Sequence, residues 1–300
     1  MEESMGQSVD KALITQFSDM VHVEAQQIKS RLRPYTIQKK MSGDIWAYDG
    51  LGSIEAQELS GRYNKVSFAD IEHNRRKLAK RRFSVTLPID GDDVEGMLLD
   101  PQQEYAQAVV RAMERVYDRV VLESAFADVL TGRDFDTTVT FANDGGLTVD
   151  ATAGLVYEKL LEMEQNYIDN EVGIDMPENK FLTISGDEHT DLMGEIELVS
   201  GDYTRQFAVE RGSIQRALDY DLIKYGDSVA SPLIPRNAAG TERELICATQ
   251  RAFCVGISKE ISLKIQERSD YVDVTQVQAI FTLGSVRTEG KLVQKVRATV

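Results

Sequence analysis

From Tyr105 onward apolar residues recur mostly at steps of three and four: Tyr105, Val109, Ala112, Met113, Val116, Val120 and Ala125. Arg111, Glu114, Arg115, Asp118 and Arg119 fill the opposite side. Asp100 can cap this stretch, Pro101 suits a first helical position, and Gln103 stands where a capping-box partner belongs. Neither Gly nor Pro interrupts the pattern before Gly132, so it predicts one helix over 101–130. At ~1.5 Å per residue that helix spans about 43 Å and calls for an elongated body.

Period-two patterning marks the strands. Phe83, Val85, Leu87 and Ile89 alternate with Ser84, Thr86 and Pro88, a half-buried strand. Tyr63, Val66 and Phe68 suit an antiparallel partner for it, which gives a hairpin with a basic tip over 73–82. A long charged hairpin cannot stabilise itself in water, so a surface beyond its own subunit is expected to support it. Before it, 14–32 reads as an amphipathic helix that stops ahead of Pro34 and continues as a basic extended arm; 1–42 holds no clear core element.

After the long helix come a strand at 137–141, a turn at Asn143-Asp144-Gly145-Gly146 and a helix over 152–168. A strand at 181–184 leads to Ser185 and Glu188, a capping box that opens a helix reaching Val199. Short elements follow at 207–214 and 221–225, then central strands at 244–247 and 252–257. The tail shows β-branched alternation at 262–265, 274–283 and 292–300. Strands and helices mix without βαβ alternation, which predicts an α+β fold.

Charge changes this picture more than bulk composition does. The chain has 300 residues, 42% of them hydrophobic, enough for a core and more than one compact body needs. No signal peptide or membrane-length apolar run is present, which predicts a soluble chain made in a cytoplasm, with no membrane partner. The net charge of −15 argues against tight gripping of nucleic acid. Residues 29–82 carry 13 Lys/Arg against 6 Asp/Glu, whereas 83–300 carry 20 against 38. A basic extension joined to an acidic body predicts copies that bind head to tail.

Catalytic and metal motifs are missing: no Gly-rich phosphate loop, no nucleophile elbow and no HExxH occurs. Asp90, Asp92, Asp93 and Glu95 lack the Gly and Glu that a calcium loop needs and read as a solvated turn. Cys247 and Cys254, in apolar surroundings, read as buried reduced thiols. His189 beside Asp187, Glu188 and Asp191 reads as a solvated surface residue rather than a general base. No cofactor and no enzymatic activity is expected.

Four pieces in fixed order resemble the major capsid proteins of tailed double-stranded DNA bacteriophages, with the Hong Kong 97-type capsid fold. They are His73-Asn74-Arg75-Arg76 with the 83–89 strand and Asp100-Pro101; the long helix with Asp118, Ala125 and Thr131-Gly132; Ser200-Gly201-Asp202-Tyr203 with Gly212-Ser213-Ile214; and Leu283-Gly284-Ser285-Val286-Arg287 with the 293–296 run.

The resemblance implies an N-terminal arm (1–42) and an extended β-hairpin loop (43–97). It implies a peripheral domain (98–182 and 259–283) with a spine helix over 101–130, and an axial domain (183–258 and 284–300). It further implies hexamers and pentamers that close into an icosahedral shell around phage DNA in a virion, assembled in the host bacterial cytoplasm. DNA would be contacted non-specifically, and a portal and a decoration protein would join the shell. Only some forty residues precede the loop, so a separate scaffolding protein is expected.

The expected inter-subunit interface comprises His73, Arg75, Arg76, Lys77, Lys80, Arg81 and Arg82, with Trp46 and Tyr48 at the loop root either as interface anchors or as part of a local core. These cations would meet acidic surface on a neighbour, such as residues 187–197. Replacing Arg75 and Arg76 by Glu should then leave the monomer folded and stop assembly. Lys77 and Lys80 lie in the loop, but no acceptor for a covalent crosslink can be matched to them. Two alternatives stand beside this reading: an encapsulin-like nanocompartment shell protein, and an acidic cytosolic enzyme using His189.

Overall fold

The computed structural model describes residues 26–52, 54, 56, 71, 73–90, 102–174, 178–195, 214–227, 233–268 and 274–300. Helices and strands are mixed in an α+β arrangement, and the chain divides into two compact units. The first comprises Arg82–Val116 and Lys259–Thr282 with the residues before Arg31; the second comprises Arg31–Arg81, Tyr117–Ser258 and Leu283–Val300.

In the second unit a six-stranded sheet carries most of the core. Its strands are β7 (Leu147–Asp150), β8 (Lys180–Ile184), β9 (Arg216–Ala217), β10 (Tyr220–Lys224), β11 (Glu242–Thr249) and β14 (Val293–Thr299), in the order β7-β14-β11-β8-β10-β9. Every residue of β8 is buried, as expected of a strand covered on both faces. Helix α2 (Tyr157–Asp169) buries Leu160, Met163 and Tyr167, spaced by three and four. Helix α3 (Gly186–Gly194) opens with Ser185 and Glu188 in the expected capping box.

A four-stranded sheet in the same unit runs β2 (Ile45–Leu51), β3 (His73–Ala79), β5 (Val129–Thr131), β6 (Thr137–Val139), in that order. A third sheet contains β1 (Ile37–Lys40), β12 (Phe253–Arg268), β13 (Val274–Arg287) and β4 (Arg81–Asp90), in the order β1-β12-β13-β4. Strand β1 pairs in parallel with Cys254 to Ile257 of β12. In the first unit Val109 and Met113 of the long helix are buried, as are Val277, Ala279 and Phe281 of β13.

Several expectations shift. The long helix α1 runs Gln102–Phe126 and ends before Leu130, because Val129 to Thr131 extend to pair with β6. Gly132, at φ +97°, turns the chain only after that strand. The proposed cap residues Asp100 and Pro101 lie outside the described residues. Helix α2 starts at Tyr157 rather than 152, since Gly154 at φ +120° is incompatible with a helix. Helix α3 ends at Gly194; Val199, and 207–213 of the following segment, lie outside the described residues.

The N-terminal reading needs correction in its last turn. Residues 26–32 are not helical, and Leu32 and Met41 are buried core residues, 0% and 2% exposed. The hairpin needs correction as well. Strand β3 pairs antiparallel with β2, Leu51 opposite His73 and Ile45 opposite Ala79, so residues 73–79 form a strand rather than a tip. The partner expected around Tyr63 lies outside the described residues. Asp92, Asp93 and Glu95 also lie outside them, and the described residues hold no cluster of metal-ligating side chains.

Candidate functional site

Pairing of β3 with β2 and β5 decides where the basic residues go. Alternation along β3 turns Arg76 and Leu78 inward and leaves His73, Arg75 and Ala79 exposed, with Lys77 half-buried. Leu78 joins Met41, Val129, Cys254 and Val286 in a core cluster, against which Ile37, Trp46 and Tyr48 pack. The Trp46 and Tyr48 rings meet at a tilt of 57°, 6.4 Å between centroids. The two aromatic residues expected at an interface therefore sit against the subunit's own core.

The strand also comes unusually close to its neighbours. A Cβ on Gly256 would lie 2.9 Å from Leu78 Cδ2, and one on Gly284 would collide with the Ala79 carbonyl oxygen. Two glycines on β12 and β13 thus make the slot in which β3 rests.

Arg76 enters a buried charge cluster. Its Nη1 and Nη2 donate to Asp144 at 2.8 and 2.6 Å, and Arg287 Nε donates to the same carboxylate at 2.9 Å. Arg287 is fully buried and Asp144 nearly so. Its Nη1 also reaches the Ala125 and Ala127 carbonyls, at 2.7 and 3.2 Å, where the end of α1 concentrates negative partial charge. One carboxylate and a helix terminus thereby serve two guanidinium groups, while Arg287 Nη2 is buried without a hydrogen-bond partner among the described residues. Burial pushes the Arg287 pKa down, and the Asp144 bond opposes that shift. A Cβ on Gly290 would collide with the Asp144 backbone, so the turn bearing Asp144 is gripped from both sides.

The remaining cations of the predicted interface are more exposed, and Arg75, Lys77, Lys80 and Arg81 have partners on their own chain. Arg75 Nε donates to Asp49 directly across the ladder at 2.7 Å, Lys80 meets Asp44 at 2.5 Å, and Arg81 meets Glu123 at 2.6 Å. The Lys80 hydrogen bond holds Asp44 below its usual range, and the Asp49 bond raises Arg75. Lys77 lies 6.0 Å from the Phe135 ring centre, and Arg82 is exposed. The double charge reversal at Arg75 and Arg76 is thus not the clean test it looked from sequence: Arg76→Glu would set two carboxylates together in a buried place.

Two further anchors escaped the sequence reading. The carboxylate of Asp118, 0% exposed on α1, accepts the Arg31 and Leu32 amides at 3.0 and 3.2 Å and the Tyr225 hydroxyl at 2.9 Å. Tyr35 adds a tilted ring contact with Phe181 and a hydrogen bond to Asp221, so the segment leading into β1 is docked by polar and aromatic contacts together. Arg243, on β11, binds Asp227, Glu188 and Asp187 at 2.5, 3.2 and 2.7 Å. Asp187, expected to receive a neighbour's cation, is already paired, although its side chain is 74% exposed. In sequence Asp118 counted as part of the polar helix face and of the resemblance, with no anchoring role read from it. What could have flagged it is its place between Tyr117 and Val120, both buried.

His189 is half-buried with its Nε2 2.9 Å from Lys224 Nζ, and among the described residues no carboxylate is bonded to it. No array of nucleophile, base and oxyanion donors is assembled among the described residues. A cleft of about 500 Å³ lies along Leu122, Phe126 and Ile234; of its charged lining residues, Glu123, Arg236 and Glu244 are bonded elsewhere. Among the described residues no helix is long and apolar enough to cross a membrane.

A family model described as phage capsid protein matches residues 9–300. No curated protein matches. Among solved structures, the capsid of cyanophage Pam1 is similar, with a TM-score of 0.74 and 12% identity over 95% of this chain and 96% of that one. The cyanophage P-SCSP1u capsid gives 0.71 and 12% over 96% and 94%. The acid-stable capsid of Helicobacter pylori bacteriophage KHP30 gives 0.71 and 10% over 95% of each chain. At such identities the likeness is one of fold, the Hong Kong 97-type. Together with a family match across nearly its whole length, it shows that this chain belongs to the phage capsid protein family.

Proposed function

We propose that copies of this capsid protein join as hexamers and pentamers and close into an icosahedral shell around phage double-stranded DNA. As a phage capsid protein it is structural and non-enzymatic and assembles into shells. The match over residues 9–300 carries this reading. A nanocompartment shell is not favoured by it, and neither is an enzyme using His189.

The finer parts of the proposal concern how copies meet. The exposed cations His73, Arg75, Lys80, Arg81 and Arg82, with Lys77 beside them, would exchange or share their carboxylate partners with acidic surface on a neighbour. Their own pairs are exposed and weaken in salt, so such exchange costs little. Arg76, Trp46 and Tyr48 act indirectly by fixing the strand that presents these cations.

Residues 43–97 would be the extended loop. The spine helix with its peripheral domain, and the axial domain, would follow the ranges predicted from sequence. A separate scaffolding protein, a portal and a decoration protein are the proposed partners, with assembly in the bacterial cytoplasm. Contact with DNA would be non-specific and weak, since the protein's net charge is −15.

The test is particle purification followed by analysis of contents. Nuclease-protected double-stranded DNA inside the shells supports the proposal. Shells holding a protein cargo and no nucleic acid would favour the nanocompartment instead.

A further inference from the structure

His189 lies on α3, and Nε2 of its ring is 2.9 Å from Lys224 Nζ at the end of β10. The same Nε2 accepts the amide of Ile214 at 3.3 Å, just ahead of β9. Ile214 is 5% exposed and leads directly into the β9–β10 hairpin, which closes through Leu222 N–H to the Gln215 carbonyl at 2.9 Å. A lone pair at Nε2 requires the neutral ring, with its proton on Nδ1.

The carboxylates nearby are engaged elsewhere. On α3, Asp187 and Glu188 are held by Arg243, and Asp191 accepts the Leu155 amide at 3.1 Å. On β10, Asp221 accepts from Tyr35, while Tyr225 beyond its end reaches Asp118. Arg216 of β9 pairs with Asp219. From the docked N-terminal segment, Arg31 binds the Lys224 carbonyl oxygen. Among the described residues the charged group that acts on the ring is thus Lys224, a cation.

We propose that His189 is a pH-sensitive latch: neutral, it fastens the start of the β9–β10 hairpin to α3; protonated, it releases it. A proton on Nε2 removes the acceptor for both donors and sets an imidazolium against an ammonium. Burial first, and Lys224 second, hold the imidazole below its ordinary value. The folded value therefore lies below the unfolded one of about 6.5. The latch's stabilisation is complete above that pH and is lost as the pH falls through the folded value.

Amide exchange at Ile214 and over 220–224 in the purified full-length protein tests this, corrected for intrinsic rates. On going from about pH 7.5 to about pH 5, wild-type protection there should fall ~10-fold while β8 and β11 hold theirs. His189→Gln offers an amide oxygen that accepts hydrogen bonds at both pH values, so its protection should not follow pH. A flat wild-type profile, an equal fall in His189→Gln, or an imidazole that titrates at or above about 6.5 would each overturn the latch. None of these outcomes bears on shell formation, which particles report separately.

Discussion

At the scale of single residues, the chain is organised by buried charges whose partners are far away in sequence. Asp144 serves Arg76, 68 residues before it, and Arg287, 143 residues after it. Removing it leaves two buried guanidinium groups without their counter-charge, a change that costs ~3–5 kcal/mol where one member of a buried pair is lost. Asp144→Ala should lower subunit stability by about that amount in denaturant unfolding. A loss under ~1 kcal/mol would mean that water already screens the cluster. In sequence Asp144 was part of an Asn-Asp-Gly-Gly turn, and nothing local tells a solvated turn carboxylate from one that clamps two arginines. The two cysteines were legible, because a small apolar side chain among β-branched neighbours is usually buried. Burial pushes the Cys247 thiol up to about 12 and the Cys254 thiol up to about 11. Both should resist alkylation near neutral pH in the folded protein and react only on unfolding, as counted by mass spectrometry.

At the scale of elements, local pattern was informative and pairing was not. The alternation of Phe83 to Ile89 marked β4, and the capping box at Ser185 marked the start of α3 to the residue. The partner of β3 could not be read that way. Strand β2 is separated from it by more than twenty residues and carries Trp46, Tyr48, Asp49 and Gly50 rather than a clean alternation. The end of α1 was misplaced because Leu130 suits a helix and a strand equally, and pairing with β6 decides the matter. The slot at Gly256 and Gly284 is a property of elements meeting. Gly284→Ala would drive a methyl group into the Ala79 carbonyl and should cost ~1–3 kcal/mol, read as a fall in Tm of the subunit. An unchanged Tm would mean that β3 can lift away from β13 without loss.

At the scale of the whole molecule, the uneven charge and the order of motifs pointed to a repeated, self-associating protein, and the family match bears that out. The basic stretch, however, neutralises much of itself within the chain before it can meet a neighbour. Arg75 and Arg81 are 44% and 53% exposed, so their replacement by Glu spares the buried cluster around Asp144. The double variant should unfold within ~1–2 kcal/mol of the parent and yet assemble poorly, with the deficit deepening at low salt. Electron microscopy of the purified protein, produced alone and with co-expressed assembly partners, measures the central claim directly. The account predicts closed shells of uniform size; a protein that stays a dispersed monomer or small oligomer under every such condition would contradict it.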